Sequence, residues 1–353
     1  MLRSDLLERL QTVSPALSNK DIIPILTHFW FTGKELMAFN DQIAISLPCK
    51  TDFNGAVPGK VMLEILKNSK AKNIELLAVD SSLTIKAASS KVKMPILASD
   101  NFSIFEMPKV DKDDKYVPLD ISDFIAGLEC CMRSIGIDTS MPDQLGVTLI
   151  ADGDKAISMY STNNNTISYA SIPLKKKYTL KNRIVLSSTF CQQVMSMCKG
   201  ISSARLYLGD GYALLQVSDK HLFGRLIDTD SPTDFKGMIE HHFPVTAKKK
   251  LIPIPTKMQL ILERAVIAAS AGIEVIPTNI TVNDGKIKFV TKHKKLEMVD
   301  YLTIGDGHPN VNTRIQPKHL KAGYGYFDKM MFTESCAIMT KGDFIYMIAA
   351  IGE

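Results

Sequence analysis

At 353 residues the chain is long for one domain, and at about 150 residues per domain two or three are expected. Apolar residues at 45% and charged residues at 22% are the balance of an ordinary soluble protein with ample core, which excludes a disordered or low-complexity chain. A net charge of +5 permits a polyanion partner without requiring one, and the excess of Lys over Arg suits loose phosphate contact better than base reading.

The N-terminal stretch MLRSDLLERLQTVSP places Leu6, Leu7, Leu10 and Val13 at i, i+1, i+4 and i+7, the spacing of a helix with one buried face. Ser4 is the expected N-cap, and Asp5 and Glu8 inside the apolar pattern argue against a signal peptide. A second helix is predicted in PGKVMLEILKNS, with Pro58 at its start and Val61, Met62, Ile65 and Leu66 buried. Strands follow in NIELLAVDSSLTIKAASSKVKMPIL, with a turn at Asp80 to Ser82. The stretch ASDNFSIFEMP (Ala98 to Pro108) then leads into a charged break, Lys109 to Pro118.

The pattern begins again at SDFIAGL. Ser122 is the expected cap, and Phe124, Ile125, Leu128 and Cys131 or Met132 form the buried face. SSTFCQQVMSMCKG predicts the partner helix, burying Phe190, Val194, Met195 and Cys198 and stopping at Gly200. Gly209-Asp210-Gly211 is a strong hairpin signal between the strands that follow. TDSPTDFKGMIE (Thr229 to Glu240) has the grain of Ala98 to Pro108 and precedes a second break, His241 to Pro255.

A third helix opens near Pro255 and Thr256 and buries Ile261, Leu262, Ala265 and Ala268 or Ala269. Pro317 opens a short helix broken at Gly323, and strands turn at Thr333 to Ser335 and at Lys341 to Asp343. The unit helix, strands, helix, strands is therefore written three times, giving an α+β chain with domains at 1–116, 117–241 and 242–353. Phe102 and Phe235 each fall at the end of a repeat, just before the crossover.

Chemistry-bearing motifs are absent. The chain has no G-x-x-x-x-G-K-S/T, G-x-S-x-G, H-E-x-x-H or dinucleotide fingerprint, so no catalysis and no cofactor are expected. The six cysteines (Cys49, Cys130, Cys131, Cys191, Cys198 and Cys336) form no C-x-x-C pair and read as reduced, mostly buried thiols in the cytoplasm. His241-His242 reads as a linker pair, and no metal site is expected. No run of eighteen apolar residues predicts a membrane span.

In order and spacing, several segments resemble the bacterial-type DNA sliding clamp, the β subunit of the DNA polymerase III holoenzyme. They are LSNKDIIPIL (Leu17 to Leu26), VPGKVMLEILKN, ASDNF, RLIDTDSPTDF, ILERAVIAAS and the terminal DFIYMIAAIGE. The resemblance runs over essentially the whole chain. Departures mark a divergent member from a distant lineage, cellular or phage-encoded. The first D-F-P motif reads Asp100-Asn101-Phe102-Ser103, the family's T-D-G-H-R-L reads Thr162 to Ile167 as TNNNTI, and its M-P-M reads Ala349-Ala350-Ile351.

The resemblance implies three clamp domains with helices lining the inside and antiparallel sheets outside, closed as a head-to-tail homodimer ring. It implies double-stranded DNA as a partner, with the replicative polymerase and the clamp loader docking through short linear peptides. The DNA-facing residues it implies, with the polar faces of the helices, are Lys20, Lys67, Lys70, Arg133, Lys199 and Lys257, diluted by Glu8, Glu64 and Glu129; a solvated surface charge is the alternative for each. No DNA contact is implied for the loop bearing Asp138, Pro142 and Asp143, where the family has polar and aromatic groups.

A peptide cleft is implied at Thr162, Ile167, Pro232, Met238, Met347 and Ala349, with Asn165-Thr166 in place of the family's His-Arg pair. For Met238 and Met347 ordinary core packing is the alternative. The implied dimer interface sets Phe102 and Phe105 against Ile267 and Ala268, with local packing as the alternative for Phe102. A peptide-binding α+β scaffold that does not encircle DNA is the second reading, and a trimeric clamp with two domains per chain is disfavoured by the three repeats.

Overall fold

The computed structural model describes residues 1–20, 22–97, 105–110, 115–180, 182–229, 233–244, 250–294, 296–305 and 308–352. Among these lie seven α-helices: α1 (Arg3–Val13), α2 (Gly59–Asn68), α3 (Ile121–Cys131), α4 (Ser188–Met197), α5 (Phe235–His242), α6 (Met258–Ala269) and α7 (Pro317–Gly323). The chain divides into two compact units, one of residues 1–125 and 186–227, the other of residues 126–185 and 228–353.

Unit 1 is built on a seven-stranded antiparallel sheet that crosses the sequence. Its order is Arg205–Leu208, Tyr212–Val217, Lys220–Arg225, Ile43–Pro48, Glu35–Phe39, His28–Thr32, Asn54–Pro58. The join between early and late segments is in register, with Phe223 opposite Ala44 and Leu222 opposite Ile45. The predicted hairpin at Gly209-Asp210-Gly211 forms, and Gly211 holds φ +74°, a left-handed conformation that favours glycine. Glu75–Val79, Ser82–Ala87 and Ser90–Pro95 make the predicted small sheet.

Helix α1 buries Leu6, Leu10 and Val13 as its period requires. Two caps move. α1 begins at Arg3 without a side-chain cap, and the cap role at α3 belongs to Asp120, whose Oδ1 accepts from the Ser122 N–H at 2.9 Å. On α2 the buried side chains are Met62, Leu63 and Leu66, with Gly59 also buried at its start, whereas Val61 is exposed. The apolar run Val61 to Leu63 leaves the helical phase open by one residue, and packing selects Leu63.

Unit 2 carries the second large sheet. Its strands run Gly146–Asp152, Ala156–Thr162, Thr166–Pro173, Phe344–Ala349, Cys336–Lys341, Lys329–Phe332, Ile252–Pro253. Thr166–Pro173 and the C-terminal strand pair directly, so residues far apart in sequence share one surface. A four-stranded sheet of Thr278–Asn283, Lys286–His293, Leu296–Thr303 and Val311–Ile315 packs under α6. The short helix α7 meets this core at Gly323, where a Cβ would collide with Met339 Sδ and the Tyr346 ring.

An aromatic pair recurs in both units. Phe105 stacks on Phe39 with centroids 4.3 Å apart, and Phe235 stacks on Tyr160 at 5.1 Å. Phe102 lies outside the described residues. Within the segment read from sequence only as closing the repeat, Phe235–His242 fold into α5. Asp234 caps it, accepting from the Gly237 N–H at 2.9 Å, and Phe235 and Ile239 enter the core.

Candidate functional site: an apolar cleft in unit 2

Strand register builds the cleft. Thr162 stands opposite Ile167, and Ile167 stands opposite Met347, so three implied cleft residues form one row across three adjacent strands. Cys336 stands opposite Ala349 on the next strand pair. Burying this row against Tyr160, Phe235 and Ile338 makes the floor a continuation of the core. One stripe of α5 (Phe235 and Ile239) packs inward, while Met238 and His242, four residues apart, face the cleft. The resulting space is about 460 Å³, within the range of small-ligand and side-chain pockets.

Among the described residues the rim is mainly hydroxyl and amide groups, with no Lys or Arg. Asn163 Oδ1 accepts from the backbone N–H groups of Asn165 and Thr166 at 3.2 and 2.9 Å, which holds the TNNNTI turn and sets Asn164 at φ +67°. Gln144 Nε2 donates to Asn164 Oδ1 at 2.6 Å, tying the turn to the loop Ser140 to Gln144. Asp143 in that loop is buried, accepting from Thr233 Oγ1 at 2.5 Å with Arg183 Nη2 at 3.8 Å. Burial holds the Arg183 guanidinium below its usual range, partly offset by the Asp143 carboxylate.

Below the floor, burial pushes the Tyr160 phenol up to about 12, and the Cys336 thiol is likewise raised by burial. Neither group is poised for nucleophilic or proton-transfer chemistry near neutral pH. Among the described residues no group of three His, Cys, Asp or Glu could hold a metal ion, and the six cysteines are buried thiols that form no disulfide.

The implied cleft residues that the structure describes are brought together. Thr162, Ile167, Met238, Met347 and Ala349 line the cleft, whereas Pro232 lies outside the described residues. Sequence reasoning missed the wall from Ser140 to Gln144, together with His242, Ser335 and Cys336. The signal for Ser140 to Gln144 was its place after the first helix of its repeat; His242 required knowing that α5 exists.

The implied DNA-facing cations separate. Lys20, Lys70 and Lys199 are exposed, and Lys67 is exposed in the last turn of α2, paired with Glu64 at 3.0 Å. Lys257 is exposed at the start of α6. Arg133 is spent internally: its guanidinium lies 4.0 Å from the Tyr326 centroid, and Nε donates to the Ala322 carbonyl at 3.1 Å. Lys321 is exposed in the last turn of α7, as Lys67 is in the last turn of α2.

At the implied interface, Ile267 is 67% exposed on α6 while Ala268 is 1% exposed, facing its own core. A step of 100° per residue puts neighbours on different faces, so Ala268 is withdrawn from any subunit contact. Phe105 is half-buried and engaged with Phe39 and Phe223, which makes it a packing residue of unit 1. Ile267 shares an outer stripe of α6 with exposed Leu260, and Arg264 between them is bidentate to Asp300 of the edge strand Leu296–Thr303 at 2.9 and 2.7 Å, whereas exposed Val299 and Tyr301 alternate with Asp300 and point to the other face of that sheet.

Residues 1–106 match the family model described as DNA polymerase III beta subunit, N-terminal domain. Among solved structures the chain is similar to the beta subunit from Streptococcus pyogenes, at 16% identity and TM-score 0.86 over 100% of this chain and 99% of that one. The sliding clamp of Bacillus subtilis matches at 13% identity and TM-score 0.86, and that of Bartonella birtlesii, solved bound to griselimycin, at 15% and 0.86. Each of these two covers 100% of this chain and 98% of the other. No curated protein matches the sequence.

Proposed function

We propose that this chain, whose first 106 residues fall in the DNA polymerase III beta subunit family and whose whole length carries the fold of bacterial β sliding clamps, is itself a DNA sliding clamp. The observation that carries the proposal is the fold agreement over 100% of the chain. In this reading, 1–116, 117–241 and 242–353 are three successive clamp domains, and two chains close head to tail around duplex DNA. The clamp tethers the replicative polymerase for processive synthesis and does no catalysis of its own.

The residue chemistry supports that role. A clamp must hold phosphates without gripping bases, so it needs dispersed cations rather than a bidentate base-reading set. Exposed Lys20, Lys67, Lys70 and Lys199 fit, and Lys321 joins them by its place in the repeat. The cleft of unit 2 is the docking place for short peptides of the polymerase and the loader, with Ile167, Met238 and Met347 as an adaptable apolar wall. The binding of griselimycin by the clamp of Bartonella birtlesii supports ligand docking on this fold.

The test is topological. The protein is loaded onto closed circular DNA, and the DNA is then linearised. A clamp is retained on the circle and lost from free ends at a rate independent of sequence. Equal retention before and after linearisation refutes encirclement and leaves a peptide-binding scaffold as the better reading.

A further inference from the structure

We propose that the unit 2 cleft reads its peptide without an ion pair, taking an apolar anchor flanked by uncharged polar residues and discriminating against a carboxylate beside that anchor. The inference rests on the peptide-docking reading above and specifies the chemistry of the occupant.

Three observations carry it. Among the described residues no Lys or Arg lines the cleft. Among the described residues Asp143 is the one lining carboxylate, and it is committed inward: Thr233 Oγ1 donates to it at 2.5 Å, Arg183 Nη2 lies 3.8 Å away, and only 9% of the side chain is exposed. The nearest ionic groups therefore answer each other and offer no charge to a ligand. The rim presents amides instead. Gln144 and Asn164 are held by their mutual 2.6 Å hydrogen bond, and Asn165 stands exposed beside them, its carbonyl accepting from the Ala349 N–H at 2.8 Å.

An amide offers both a donor and an acceptor, so it matches an uncharged polar flank or a free backbone group. A carboxylate or ammonium brought against this rim sheds hydration and meets no counter-ion. Because no ion pair forms, affinity does not depend on ionic strength beyond a weak field effect.

The experiment uses the full chain and three synthetic peptides that share a Leu-Phe anchor and differ only in carrying Gln, Glu or Lys beside it. Binding is followed by fluorescence polarisation at low and high salt. His242 also lines the cleft, so the titrations are repeated on His242→Gln, which should keep the same order of peptide affinities. The Gln peptide should bind about tenfold more tightly than the Glu peptide, with a dissociation constant unchanged by salt.

Asn165→Lys supplies the missing cation on an exposed residue whose backbone is not left-handed. It should bring the Glu peptide to parity or better and introduce salt dependence. Equal binding of all three peptides by the native chain, or a preference for Glu that salt weakens, overturns the proposal while leaving the cleft reading intact. Failure of all three to bind a chain that still encircles DNA overturns the cleft reading, and this inference with it.

Discussion

Adjacent residues on α6 should respond in opposite ways to the same substitution. Ile267 is 67% exposed and Ala268 is 1% exposed. Full burial of an isoleucine contributes about 1.5–3 kcal/mol, so roughly 1–2 kcal/mol of Ile267 is unrealised in the single chain and open to a subunit contact. A head-to-tail dimer uses the surface twice. Removing that burial alone amounts to about 2–4 kcal/mol, a factor of roughly 30 to 700 in dissociation constant, and desolvating the introduced carboxylate of Ile267→Asp adds to it. The monomer should be nearly indifferent, because the new charge sits in water. Ala268→Asp instead places a carboxylate among Ile261, Leu262 and Phe289 of the same core, and should destabilise the chain itself by several kcal/mol.

Sedimentation velocity across a dilution series, paired with thermal unfolding, separates the two effects. The native chain should sediment at twice 39.1 kDa and Ile267→Asp at 39.1 kDa with unchanged melting. If Ile267→Asp remains a dimer at sub-micromolar concentration, α6 is not at the subunit contact and the reasoning fails.

Replacing Lys20, Lys67 and Lys199 together by Ala should weaken retention on circular DNA and flatten its salt dependence, by about 0.9 in log–log slope for each phosphate no longer neutralised; an unchanged slope removes these lysines from the DNA face. Met347 is only 4% exposed, so a charge there would damage the sheet, whereas Met238 at 43% can be tested cleanly. Met238→Lys should abolish peptide binding and polymerase stimulation while melting and DNA retention stay native, and undiminished stimulation argues against the cleft. His319 is pushed down to about 4, first by burial and second by Lys318, so the fold favours the neutral ring. That stability is complete above the ordinary histidine value and drains as pH falls from there towards about 4, amounting to roughly 1–2 kcal/mol after allowance for a half-exposed ring. Urea unfolding at about pH 7.5 and about pH 4.5 should show a smaller acid loss for His319→Gln than for the native chain, and identical losses would show that acid acts elsewhere.

What the sequence determined by itself is the local periodic structure. Leu6, Leu10 and Val13, or Ile261, Leu262 and Ala265, name a buried helix face because 3.6-residue spacing is a property of the chain alone. Gly209-Asp210-Gly211 names a hairpin because only the turn geometry is at stake. These elements, in their order and spacing, carried the resemblance to the clamp family and most of the cleft residues. The register of distant strands was not legible in this way. That Ile167 meets Met347, or that Phe223 lies against Ala44, depends on which long loops close, and no local propensity encodes that choice.

The same limit explains the revised sites. Arg133 looked like one more surface cation until the fold placed Tyr326, from a distant segment of the sequence, under its guanidinium. Ala268 looked like a neighbour of Ile267 with a shared role, but one step around the helix turned it into the core. Asp143 and the amides of Gln144 and Asn164 became cleft chemistry only when a loop and a turn from different strands were packed together, since burial and hydrogen-bond partners belong to the assembled structure and not to the residue type.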